Sequence, residues 1–249
     1  MIPRLTVLLV VSLASVAPVH TQFASEFDRL EALRHYRSGQ ELLSNEQFDK
    51  AAAEFQKAIE KDRLLALAHY GLGQSYMALK RYASAISAFT GCRDAYEQLA
   101  GLGQRNQEAA ERQRREETRE LRDSIRLLES GRIKTATPDR SHDILKLESR
   151  IRDLERMQQR DVAVFQPPAE VSLALGSAYF RNGDLTDAER EWKVAVQVNP
   201  RLGEAHNNLA VVYMMTGRKK AAEGAVQSAE KSGFRVNAQL KDDIRKLAS

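Results

Sequence analysis

A spacing of 34 residues constrains this chain more than any other feature of it. Take the stretch from Ala169 to Pro200, AEVSLALGSAYFRNGDLTDAEREWKVAVQVNP, and count Ala169 as position one. Leu175 and Gly176 then fall at positions seven and eight, Tyr179 at eleven, Ala188 at twenty, Trp192 at twenty-four, Ala195 at twenty-seven and Pro200 at thirty-two. Two helices cross closely only where small side chains meet large ones. Here Gly176, Ala188 and Ala195 are the small ones, set against Leu175, Tyr179 and Trp192. Asn182-Gly183 between the two groups is a helix stop and a turn. The stretch predicts a helix, a tight turn and a second helix packed on the first.

The pattern restarts at Gly203, 34 residues on, with Leu209-Ala210, Tyr213, Gly217, Ala222, Val226 and Ala229 in the matching places. It also occurs twice nearer the N-terminus. Ala32 to Leu65 carries Gly39, Leu42, Phe48, Ala51, Phe55 and Ala58, and Ala66 to Leu99 carries Leu72-Gly73, Tyr76, Tyr82, Ala85, Phe89 and Cys92. The starts at Ala32 and Ala66 are again 34 residues apart. Strand signals are scarce: aromatic residues are 6% of the chain and alternating β-branched runs are missing. The chain is therefore expected to be all-α.

Leu-Gly then Tyr, Ala then a large residue, and a closing Pro within 34 residues resemble the tetratricopeptide repeat. The resemblance covers 136 of the 249 residues. It is weakest at Ser38, where the family usually has Leu, at Arg63, where it usually has Pro, and at Val226, where a large aromatic is missing. It implies an α-solenoid of helix–turn–helix repeats whose first helices line a concave groove.

The organisation expected from these readings is a signal peptide over 1–21, repeats one and two over 32–99, a charged insert over 100–168, repeats three and four over 169–236, and a capping helix over 237–249. Continuing the repeat register through the insert puts Gln107 and Arg119 where helices need small residues, so degenerate repeats are rejected. Instead Gln104 to Glu129 reads as an Arg/Glu-rich helix with Leu121, Ile125 and Leu128 on one face. After a break from Ser130-Gly131 to Pro138, Ile144, Leu147, Ile151 and Leu154 form a heptad-like seam. The two seams flank one loop and predict an antiparallel helical hairpin, a short coiled coil that zips near its tip and loosens upstream of Thr118. Pro167-Pro168 stops the helix before repeat three. At the C-terminus, Asn237 is a helix cap, and Leu240, Ile244 and Leu247 give one apolar face to cover the last repeat.

The N-terminus reads as an export signal: Arg4, an apolar run from Leu5 to Ala17, then small or polar residues before Phe23. Cleavage is expected near Thr21-Gln22, with Ala17 and Ala24 as alternative sites and an uncleaved anchor as the rival reading. The mature protein is expected to be exported from a bacterial cell, periplasmic or secreted, with no remaining membrane span.

Few chemistries fit the composition. The 38 basic and 34 acidic residues leave a net charge of +4 on a mixed-sign surface, which does not point to nucleic acid. Cys92 is alone, so no internal disulfide forms, and its place on a helix reads as a buried small side chain. His35, His69 and His206 all occupy position four of their repeats, a shared structural slot rather than a metal set. Gly71-Leu72-Gly73 lies inside a repeat helix and serves packing. No catalytic, cofactor or metal residues are assigned, and no enzyme activity is expected.

Binding is the remaining class. The resemblance implies that groove positions fall on Tyr36, Arg37, Gln40, Tyr70, Gln74, Leu173, Ser177, Phe180, Arg181, Asn207, Asn208, Val211 and Met214. Leu33, Leu67 and Met215 lie on the same faces. Some family members clamp a peptide C-terminus with Lys at position five and Asn at nine of their first repeat. Tyr36 and Gln40 stand there in this chain, so that clamp is not carried over. Apolar anchors with amides and two Arg suit a helix or an extended peptide. The expected role is a non-catalytic scaffold or adaptor of the bacterial envelope for a protein or peptide partner. The alternative is a structural component that self-associates through the insert.

Overall fold

The structure, a computed structural model, describes residues 24–130, 140–158 and 166–247. The expected export signal lies outside them, as does the loop between the two arms of the insert. Ten helices and no strand occur among the described residues: α1 (Glu26–Ser44), α2 (Phe48–Lys61), α3 (Ala66–Ala78), α4 (Tyr82–Glu129), α5 (Arg140–Gln158), α6 (Ala169–Asn182), α7 (Leu185–Val198), α8 (Gly203–Met215), α9 (Lys219–Lys231) and α10 (Ala238–Lys246). The fold is an α-solenoid of four helix pairs, α1/α2, α3/α4, α6/α7 and α8/α9, each packed on the next.

The turn inside each pair is the same. Position fifteen of every repeat adopts a left-handed backbone: Glu46 at φ 58°, Lys80 at 59°, Gly183 at 96° and Gly217 at 71°. The next residue's N–H then reaches back to the carbonyl of position eleven, in Gln47 to Leu42, Arg81 to Tyr76, Asp184 to Tyr179 and Arg218 to Tyr213, at 2.8–2.9 Å. This closes the orphan carbonyls of the first helix and points the chain into the second. Only two of the four repeats use Gly for it.

Close crossing of the paired helices depends on position eight. A Cβ placed on Gly176 would lie 2.6 Å from the Trp192 ring, and the same crossing occurs between Gly73 and Phe89 and between Gly39 and Phe55. Trp192 is buried there, and its Nε1–H donates to the Leu173 carbonyl at 3.1 Å. The one polar atom of the indole is thus satisfied inside the core.

The two repeat pairs stack directly on each other. Phe89 and Ala85 of α4 pack with Leu175 and Ala178 of α6, and Cys92 and Ala95 pack with Val171. Burial pushes the Cys92 thiol up to about 12, so it stays protonated and behaves as a small apolar side chain. The face that α6 turns to α4 comprises positions three, seven and ten. In repeat one those positions are Arg34, Ser38 and Glu41, and α1 is the first helix among the described residues. Arg34 and Glu41 are exposed there and Ser38 is half-buried, so polar side chains take the place of the apolar ones that α6 turns to α4. The other end is closed by α10, which buries Ile244 against Val226 and Val236. Asn237 caps α10 by accepting from Gln239 N–H at 2.8 Å.

The insert differs from its expected form in one respect. Its first arm is not a separate helix from Gln104 but the continuation of α4, 48 residues and about 72 Å long. Gly101 and Gly103 do not stop it; both lie away from any neighbour and cost only helix propensity. Beyond them α5 lies along α4, with Leu128, Ile151 and Leu154 buried and Arg122–Glu155 and Arg150–Glu117 pairing at 3.1 and 2.9 Å on the two flanks. The seam does not loosen as far as Thr118. Leu154, furthest from the tip, is 4% exposed and Leu128 is 9%. The aliphatic stems of long side chains such as Arg114 can cover a leucine as well as apolar residues do.

Candidate functional site: the concave groove

The first helices α1, α3, α6 and α8 carry the groove positions, and these fall into two groups. Some of the expected anchors are committed to packing. Tyr36 is half-buried with its ring 6.0 Å from Phe55, and Tyr70 is half-buried at 5.4 Å from Phe89, packing on both cores that join α4 to α6. Phe180 stands 5.7 Å from Trp192, and Leu173 and Met214 pack on the same cluster. Ser177 is half-buried and returns its hydroxyl to the Leu173 carbonyl at 2.9 Å.

The second group faces solvent. Arg37, Gln74 and Arg181 are exposed, while Gln40, Asn207, Asn208 and Val211 are half-buried. Leu33 and Leu67 are 39% and 49% exposed, and Met215 is 53% exposed at the far rim. Position two of repeats three and four is Glu170 and Glu204, both exposed. The sequence reading passed over these two acids, although the register that placed Leu33 and Leu67 also places them. Burial, the nearby Cys92 thiol and then the charges of Glu170 and Glu204 hold the Tyr70 phenol above its usual value. By register the two carboxylates take on α6 and α8 the place that Leu33 and Leu67 take on α1 and α3.

Two of the three recurring histidines share one structural contact, and the third makes another. His69 and His206 each place Nε2 3.0 Å from the carbonyl six residues upstream, Arg63 and Pro200, while His35 Nδ1 meets Glu54 at 2.7 Å. No cluster of three or more metal-ligating side chains occurs among the described residues. Nor is any described helix long and apolar enough to cross a membrane. A separate open hollow of about 700 Å³ lies where α4 leaves the solenoid, between Arg63-Leu64 and the face carrying Asp94, Gln98, Leu102 and Arg105. It mixes both charge signs and holds none of the groove positions.

Comparison with known proteins bears on this arrangement. Among curated proteins, the chain is 39% identical over 49 residues to a photosystem I assembly protein Ycf3 of Cyanophora paradoxa, covering 20% of this chain and 28% of that one. It is 38% identical over 56 residues to the Ycf3 of Rippkaea orientalis, covering 22% and 32%. The chain thus spans less than a third of the length of these relatives. Among solved structures, the type IV pilus biogenesis factor PilW matches 90% of this chain and 87% of its own at 15% identity and a TM-score of 0.41. TTC0263 of Thermus thermophilus, described as a thermophilic TPR protein, matches 87% and 98% at 18% identity and 0.33. The tetratricopeptide repeat itself is matched by residues 36–100 and 173–234, just over half of the chain. Those two blocks follow the helix pairs on either side of the insert, and the chain belongs to the tetratricopeptide-repeat family.

Proposed function

We propose that the chain is a non-catalytic scaffold or adaptor, exported to the bacterial envelope, that holds a helix or peptide of a partner protein in its concave groove. Solenoids of this family present extended concave surfaces for protein contact. The observation that carries the reading is the solvent-facing set Leu33, Leu67 and Met215 beside Arg37, Gln74 and Arg181. Large apolar side chains left in water along one groove, rimmed by polar groups, mark an interaction surface. Capture from native envelope with wild type and with Leu33→Asp/Leu67→Asp tests it. A partner retained equally by both forms would remove the groove from the account. Export is tested by fractionation and by mass spectrometry of the N-terminus. An intact leader on a cytosolic product would overturn it.

A second reading, self-association through the insert, is favoured by Leu127 near the end of α4 and Leu145 near the start of α5, both exposed. A monomer by light scattering at high protein concentration would dismiss it.

A further inference from the structure

The row of side chains at position two changes character along the groove. Leu33 and Leu67, with Leu30 one turn before Leu33, are exposed leucines on α1 and α3. Glu170 and Glu204 occupy the same place on α6 and α8. Among the described residues neither carboxylate has an ion pair, whereas Glu31, Glu191 and Glu189 are engaged with Lys61, Arg93 and Arg218. Arg37, exposed one turn beyond Leu33, puts a cation at the apolar end of the groove. Along this row the surface therefore runs from apolar at repeats one and two, with Arg37 one turn away, to negative at repeats three and four, while the exposed Arg181 and Met215 stand three turns further along α6 and α8.

We propose that the occupant of this groove is an amphipathic helical segment, apolar at one end and basic at the other, laid across the repeats in a single direction. The inference rests on the groove reading and adds the partner's chemistry and polarity to it. Leucines on the partner desolvate Leu30, Leu33 and Leu67, the term that supplies most affinity. Lysines or arginines meet Glu170 and Glu204, which adds orientation and association rate. Reversal puts the basic end against Arg37 and leaves both carboxylates facing leucine, so the wrong direction is penalised as well as the right one favoured.

The test uses synthetic peptides of about 20 residues that carry leucines at helical spacing in one half and either three Lys or three Glu in the other. Each is titrated against the protein and its variants by fluorescence anisotropy. Wild type should bind the Lys form more than about tenfold tighter than the Glu form, a gap that shrinks as salt rises. Glu170→Lys/Glu204→Lys should reverse that preference, and Leu33→Asp/Leu67→Asp should abolish binding of both. All four positions are exposed, so thermal melts should coincide with wild type and separate loss of binding from loss of fold. Groove-dependent binding that ignores the Glu170/Glu204 reversal would overturn the polarity while leaving the groove reading standing. Binding that survives Leu33→Asp/Leu67→Asp would overturn both. Equal binding of the Lys and Glu forms by wild type would also overturn the polarity.

Discussion

Arg93 of α4 and Glu191 of α7 stand 98 residues apart in the chain, and their guanidinium and carboxylate meet at 3.1 Å. Glu191 is 3% exposed, with Arg190 as a second, more distant cation at 3.6 Å. The pair ties repeat two to repeat three across the point where the insert departs. Arg93→Met would leave a buried carboxylate with only Arg190. The expected loss is about 2 kcal/mol of unfolding free energy by urea titration. Arg93→Met combined with Glu191→Met should recover part of it, because no charge is then stranded. A double variant no better than the single one would show that the carboxylate was not the cost.

Two glycines of similar local structure should respond oppositely to Ala. Gly176 faces the Trp192 ring, where a Cβ would sit 2.6 Å from it, so Gly176→Ala should cost about 1–3 kcal/mol by overpacking. Gly101, in the middle of α4, has nothing within 4 Å. Gly101→Ala should stabilise by up to about 1 kcal/mol, from helix propensity alone. Thermal melts followed by circular dichroism give both signs.

Position fifteen offers a reciprocal pair. Lys80 holds a φ of 59°, which a side chain resists and Gly does not. Lys80→Gly should raise stability by about 1 kcal/mol and Gly183→Lys lower it by a similar amount. Both residues are exposed, so packing does not blur the comparison. Equal melting temperatures for all three proteins would mean the turn carries no strain.

Removing residues 105–160 should leave a single cooperative unfolding transition. The cores that join α4 to α6 lie within 66–96 and 169–179, and none of them uses the insert. Two separate transitions in differential scanning calorimetry would show that the hairpin holds the halves together.

Acid should loosen the junction of repeats three and four. Glu189 accepts from Arg218 at 3.0 Å and sits 2.7 Å from Lys193. The Arg218 hydrogen bond, opposed by burial and aided by Lys193, holds its carboxyl at about 2 against an ordinary 4.5. The folded value is the lower one, so the stabilisation is complete above pH 4.5 and is lost as pH falls from 4.5 toward 2. Glu189→Gln should flatten the stability profile across that window. An unchanged slope would move the acid sensitivity to other carboxylates.

The repeats were legible because their spacing is enforced by contact. Gly176 against Trp192 and Gly73 against Phe89 admit no other register, so the residues announce the helix pairs. The continuity of α4 was not legible. Residues 99–103, with two glycines, look like a breaker, but flanking Ala and Leu on one side and Gln107, Glu111 and Arg115 in helical pairing on the other carry the helix through. The groove was half legible. The register assigns position five to the groove, yet Tyr36 and Tyr70 lean on Phe55 and Phe89, and no spacing reports which way a tyrosine leans. Truncating Tyr70 therefore tests the core as much as the groove, which makes Leu33 and Leu67 the cleaner probes.

The unbroken course of α4 has a mechanical consequence. From Gly101 to Glu129 it extends about 42 Å beyond the repeats, while its other end carries Phe89 and Cys92 beneath α6. It is a lever seated in the joint between the two halves. A tilt of only about 5° displaces its tip by about 4 Å over that length. A load on the hairpin bends the rod first at Gly101 and Gly103, where no neighbour braces it. Stiffening those two residues to Ala would pass the load on to the seat, and torque on the tip would become strain between repeats two and three.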